Sequence, residues 1–186
     1  MISIVINSLI NTIFIILLIP IFGFIVDKLV QCIIKALSEI IGYTLTNIIV
    51  NRLTFVGTMI HEISHALMAT ITGAKVTKIE LFKPVGNRLG QVSFIPRGNA
   101  IMKSIQFTLT SIAPVVIGST LLFIIFMYSG NVENKYIKAI NIYLFISILM
   151  HTTMSTQDVK NALRGLPICT FLIFSINFIL YMFKII

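Results

Sequence analysis

Charge is scarce in this chain, and negative charge scarcer still. Of its 186 residues only 11% are charged, and just six are acidic. Soluble domains carry about 25% charged residues. Apolar residues make up 57%, and mean hydropathy is +1.01. Such a chain would show large apolar patches to water, which excludes a soluble globular protein; the same figures exclude disorder. Cysteine is almost missing. Cys32 and Cys169 lie in apolar segments far apart, which excludes a disulfide scaffold. What remains is one integral membrane domain, residues 1–186, with several spans in the lipid bilayer. The net charge is +8, but the basic residues are scattered through short connections and interleave with no aromatic patch. They read as topology signals and lipid head-group contacts, not as a nucleic-acid surface.

Long apolar runs are what the chain does have. Residues 4–26 are long enough to span, at about 20 residues per crossing, and Pro20 predicts a kink. With no basic leader and no small-x-small site before Asp27, they do not read as a cleaved signal peptide. Residues 29–50 are apolar but carry Lys35 and Glu39, so they read as an interfacial helix, with a sixth span as the alternative. Residues 53–72 form the second span, closed by Gly73 as a helix C-cap. Residues 74–98 then turn basic, with Lys75, Lys78, Lys83, Arg88 and Arg97. Their runs 76–82 and 91–95 predict a β-hairpin around a turn at Gly86 and Asn87. Further spans follow at 105–128, which contains Pro114, at 137–154 and at 166–185, with a polar connection over 155–165. The expected fold class is an all-α polytopic membrane protein of about five transmembrane helices, six possible, with a β-hairpin inserted after the second span. The basic hairpin orients the chain with that loop, and residues 155–165, on the cytoplasmic side.

The chemistry is concentrated in His61-Glu62-Ile63-Ser64-His65, an H-E-x-x-H sequence inside an apolar helix. Residues four apart share a helical face, so both imidazoles can reach one metal ion. Zinc at such a pair acidifies a water to a pKa of about 7, and the adjacent Glu62 carboxylate can take its proton without being a ligand. Chance gives this match in about one chain in a thousand of this composition. Each ionisable group at mid-bilayer costs about 2.5–3.5 kcal/mol on insertion scales, so three in one span require partners. Thr54, Thr58, His61, His65, Met68 and Thr72 also fall on one stripe of this helix. That polar seam predicts a face turned to the bundle interior or a water path.

A catalytic zinc usually takes three protein ligands. A metzincin would need Gly at position 68 and His at 71, where this chain has Met68 and Ile71. Glu80 qualifies only if the hairpin folds back, and Asp27, Glu39 and Glu133 lie in connections expected on the opposite face. Asp158 and His151 remain as candidates. Asp158 would meet His65 if the fourth helix continues or the connection dips inward. Ser155-Thr156-Gln157-Asp158 also reads as a capping box that starts a helix. His151 could instead sit behind the ligands. Pro114 and Gly118 fit either a bend admitting substrate or water, or simple helix packing.

These residues resemble the site-2 protease family of intramembrane zinc metalloproteases, in a small divergent form without a PDZ domain. The likeness rests on His61-Glu62-Ile63-Ser64-His65 continuing to Ala66-Leu67 and Thr72-Gly73, on the basic hairpin segment, and on an acidic residue after a later span. It extends over residues 53–167, a metalloprotease-like core. In place of a Leu-Asp-Gly motif the chain has Asp158 flanked by Gln157 and Val159, closer to a branch with Ser-x-x-Asp followed by Gly165-Leu166-Pro167. The resemblance implies zinc ligands at His61, His65 and Asp158 and a general base at Glu62. It also implies a transmembrane protein as substrate and a site toward the cytoplasmic side of the cell membrane, beside a hairpin able to pair with an unwound substrate strand. A catalytically degenerate scaffold or metal-binding relative is the alternative. A metal transporter would need more ligands along a path than the chain contains.

Overall fold

The computed structural model describes residues 1–81 and 90–185. It is helical throughout except for one antiparallel hairpin. The order is α1 (Ile2–Ile41), α2 (Tyr43–Ile48), a π-helical turn (Ile49–Leu53), α3 (Phe55–Ile71), β1 (Lys75–Glu80), β2 (Gln91–Ile95), α4 (Ala100–Ser129), α5 (Lys135–His151) and α6 (Thr156–Met182). This matches the expected class of a helical membrane protein with an inserted hairpin. Among the described residues three helices, α1, α4 and α6, are long and apolar enough to cross a membrane. The expected spans at 53–72 and 137–154 are the 17-residue helices α3 and α5. At 1.5 Å per residue each reaches about 26 Å, the short end of what crosses a bilayer.

The expected boundary between residues 26 and 29 is not a boundary. α1 runs unbroken for 40 residues, about 60 Å of helix. Asp27 and Lys28 are polar but fit a helix, and Gln31 ties them to it: its Nε2 donates to Asp27 Oδ2 at 2.7 Å and Lys28 Nζ donates to its Oε1 at 3.3 Å. The break comes instead at Gly42, whose φ of 83° suits glycine alone. Residues 29–41 are therefore neither a separate interfacial helix nor a sixth span. Pro20 lies inside α1 without ending it.

α3 closes as its sequence predicts. Gly73 has φ 82°, its N–H donates to Thr70 O, and Ala74 N–H donates to Ala69 O, which is the Schellman arrangement. β1 and β2 pair in the register Lys75↔Ile95 to Glu80↔Gln91, with a bulge between Val76 and Lys78. β1 stops short of the expected residue 82, and the turn at Gly86 and Asn87 lies outside the described residues.

The last span begins ten residues earlier than expected. Ser155 and Asp158 form a complete capping box, so the polar stretch 155–165 is the first turns of α6 rather than a connection. Hydropathy marks where lipid begins; the cap marks where the helix begins. α6 lies close against α4. A Cβ on Gly165 would come within 2.2 Å of both Ser104 O and Thr108 Oγ1.

The interior is polar. Its largest fully buried side chains are Gln106, Val115 and a set of Thr and Ser residues. Gln106 of α4 ties the end of α3 to the connection after β2: its Nε2 donates to Thr72 O at 2.9 Å, and its Oε1 accepts from Arg97 N at 2.8 Å.

Candidate metal centre

α3 carries His61, Glu62 and His65, with Glu62 and His65 buried. The predicted seam faces inward. Thr54 and Thr58 are buried, and both approach the His151 imidazole, Thr54 Oγ1 lying 2.9 Å from Nε2. α5 reaches this seam because Gly57 has no side chain. A Cβ there would lie 1.9 Å from Ser147 O, and Gly57 N–H donates to Ser147 Oγ at 2.8 Å. Gly118 of α4 admits the end of α5 in the same way, a Cβ there meeting Thr152 Oγ1 at 2.4 Å. Close helix approach thus accounts for Gly118.

Each α3 histidine is fixed by a backbone carbonyl. His61 Nδ1 donates to His151 O at 2.8 Å, and His65 Nδ1 donates to Thr110 O at 2.7 Å. A carbonyl only accepts, so both Nδ1 atoms carry hydrogen. In the neutral imidazoles both Nε2 atoms are then bare lone pairs, and they face each other at 3.1 Å. Asp158 completes the group. Its Oδ1 lies 3.4 Å from His65 Nε2, and its Oδ2 lies 4.0 Å from His61 Nε2. The ligand atoms of all three residues lie within 4.8 Å of one another.

Two converging lone pairs and a carboxylate repel unless a positive species, a proton or a metal ion, sits among them. Nitrogen and oxygen ligands about 2.0–2.1 Å from a tetrahedral zinc stand about 3.3 Å apart. The Nε2–Nε2 and His65 Nε2–Oδ1 separations bracket that value, and His61 and Asp158, 4.0 Å apart, need only a small approach, so the donor set is of the kind and near the spacing that zinc takes.

The sequence posed Asp158 as a ligand or a helix cap; the geometry makes it both a cap and a member of the cluster. Asp158 N–H donates to Ser155 Oγ at 3.2 Å, and Ser155 N–H donates to Asp158 Oδ2 at 2.8 Å, which leaves Oδ1 facing His65. Of the two ways for Asp158 to reach His65, the inward connection is the one used, since α5 ends at His151. The His151 imidazole stays outside the cluster, and its carbonyl does the holding. Sequence reasoning missed both carbonyls because a backbone acceptor has no side-chain signature.

The hairpin does fold back, although Glu80 does not join the three. Glu80 Oε2 accepts from Lys78 Nζ at 3.0 Å. Gly90, just before β2, rests on the Glu62 side chain, where a Cβ would come within 2.7 Å of Glu62 Cγ. Asp27 lines an apolar groove between α1, α4 and α6, away from the cluster.

The family model Peptidase M50B-like matches residues 29–184. No curated protein and no solved structure matches the chain. The matched region is wider than the 53–167 marked out by motifs, taking in the last third of α1 and all of α6. With five-sixths of its length so matched, the chain belongs to the Peptidase M50B-like family, the site-2 protease family of peptidases.

Proposed function

We propose that the chain is an intramembrane zinc metalloprotease that hydrolyses a peptide bond in or near a transmembrane segment of another membrane protein. His61, His65 and Asp158 hold the metal and Glu62 is the general base. The observation that carries this reading is the convergence of two imidazole Nε2 atoms and one carboxylate, with both Nδ1 atoms already committed to carbonyls. The family is generally zinc-dependent, and this donor set suits zinc. When bound, zinc supplies a Lewis acid that polarises the scissile carbonyl and acidifies a water.

The chain's own residues do the rest. The carbonyls of His151 and Thr110 hold both rings so that Nε2 points inward. Ser155 N–H anchors Asp158 Oδ2, which leaves Oδ1 for the metal. Glu62, buried and next to His61, accepts the proton from the attacking water and returns it to the departing nitrogen. Its confinement under Gly90 keeps that carboxylate in one place. The basic hairpin residues Lys75, Lys78 and Arg97 support a site on the cytoplasmic side of the cell membrane.

Metal content of the detergent-purified protein tests this. The wild type, Glu62→Ala and His151→Ala should each carry about one zinc per chain, and His65→Ala and Asp158→Ala should carry none. Glu62→Ala should be inactive on a transmembrane substrate in proteoliposomes. A wild type without zinc after reconstitution would overturn the proposal.

A further inference from the structure

In an α-helix each N–H bonds to the carbonyl four residues earlier. Proline has no N–H, and its ring crowds that same carbonyl. Pro114 lies inside α4, so the carbonyl it leaves without a helical partner is that of Thr110. Both residues are buried, Thr110 completely, and so are their neighbours Ala113 and Val115. A carbonyl in such a place needs a donor. The donor is His65 Nδ1–H, at 2.7 Å.

His61 is held in a parallel way. Its Nδ1–H donates to the carbonyl of His151, the last residue of α5, where helix carbonyls have no partner within the helix. Each imidazole is thus fixed by a carbonyl that regular helix bonding does not use. One is freed by a helix end, the other by a proline.

We infer that Pro114 is a positioning residue of the metal centre: by lacking an N–H it releases the Thr110 carbonyl to fix the Nδ1–H tautomer of His65 and aim Nε2 at His61 and Asp158. Neither a bend for substrate nor simple packing requires that register. A proline at 113 or 115 would free the carbonyl of residue 109 or 111 instead. Any other residue at 114 returns an N–H that competes with His65 for the oxygen. The consequence for zinc rests on the proposed function; the hydrogen bond itself does not.

The test uses the full chain labelled with ¹⁵N-histidine, as wild type, Pro114→Ala and Pro114→Gly. Pro167→Ala is the control, because the carbonyl that Pro167 frees in α6 belongs to the exposed Leu163. Three quantities are read: the His65 Nδ1–H resonance and its exchange with water, zinc affinity by chelator competition, and the visible spectrum of the cobalt-loaded protein. The wild type should show a slowly exchanging Nδ1–H. Both Pro114 variants should lose that protection, bind zinc about 10–100-fold more weakly and shift the cobalt bands, while Pro167→Ala changes none of these. Folded Pro114 variants with an unaltered Nδ1–H would overturn the inference, and so would an equal loss in Pro167→Ala or a failure of both Pro114 variants to fold. A wild type that binds neither metal would sink the proposed function, while the Nδ1–H comparison would still decide the role of Pro114.

Discussion

α3 and α1 are built on opposite plans. α3 has 17 residues and buries seven of them, including Glu62, Ser64 and His65; α1 has 40 residues and buries five. α6 resembles α1, with three buried residues in 27. α1, the longest and most hydrophobic helix, is thus exposed along most of its length. In water that would be perverse, but in a bilayer the lipid is itself apolar, so Leu, Ile and Phe belong on the outside. Small and polar residues then form the interior, where they let backbones approach and give most buried polar groups a partner. Hydropathy in such a chain reports contact with lipid, and the H-E-x-x-H residues sit on α3, the short helix with the larger buried share.

Glycine substitutions probe this contrast most strongly. Gly57→Ala puts a Cβ 1.9 Å from Ser147 O, a backbone atom that cannot rotate away. α3 and α5 must part, at a cost of about 3 kcal/mol, and the His151 carbonyl moves away from His61. In α1, Gly23→Ala meets the Val115 and Met154 side chains at ordinary distances of 3.6 Å or more and should change stability by less than about 0.5 kcal/mol. Thermal unfolding in one detergent measures both. Equal effects would dissolve the distinction between inner and outer helices.

Next in size is Asp158→Asn, which separates the two roles of that side chain. The amide oxygen still accepts from Ser155 N–H, so the start of α6 survives. The negative charge facing His65 is gone, and zinc affinity should fall by roughly 100-fold or more. Chelator competition beside a melting curve reads the two roles separately. Affinity close to that of the wild type would mean that Asp158 is a cap alone.

Much of this was legible in the sequence, for identifiable reasons. The H-E-x-x-H spacing put His61 and His65 on one face, the threonine stripe showed which way that face turns, and Gly73 and Ser155 marked helix ends by their own hydrogen-bond chemistry. Elements were misjudged where polarity stood in for geometry. Asp27 and Lys28 looked like a boundary, yet nothing in them breaks a helix, and residues 155–165 looked like a connection, yet a capping box opens them. The third member of the cluster could be narrowed to Asp158 or His151 but not chosen, because the choice depends on how far the connection between α5 and α6 dips inward. That depth is set by close contacts at Gly118 and Gly165, between segments distant in sequence. His151 shows the limit most sharply. Its side chain drew notice as a possible ligand, while its carbonyl, common to every residue type, is what touches His61.

A smaller effect is expected at the cap. Ser155→Ala removes the hydroxyl that accepts from Asp158 N–H and should cost about 1 kcal/mol. Because α6 begins at the His61–His65–Asp158 cluster, this cap should matter to zinc binding as well. Asp158 keeps only one of its two capping contacts, the one its carboxylate accepts from Ser155 N–H, and the loosened first turn gives it freedom, so affinity should fall, though by less than in Asp158→Asn. An unchanged affinity with a lowered melting point would show that the cap steadies the helix without aiming the carboxylate.

The smallest effect belongs to the far end of α6. Asn177 is buried and its Nδ2 donates to Thr12 Oγ1 at 3.0 Å, joining α6 to α1. A buried amide in a membrane invites the expectation of a large penalty on removal. Thr12 weakens that expectation, since its hydroxyl also donates to Ser8 O at 2.7 Å and stays satisfied when the amide is gone. The separated helices would find other polar partners in the membrane, so such contacts average only about 0.6 kcal/mol. Asn177→Leu should therefore lower stability by about that much and leave zinc affinity untouched. A loss of metal in this variant would show that the α1–α6 contact is coupled to the cluster, and the division between an outer helical frame and an inner bundle around His61, His65 and Asp158 would have to be redrawn.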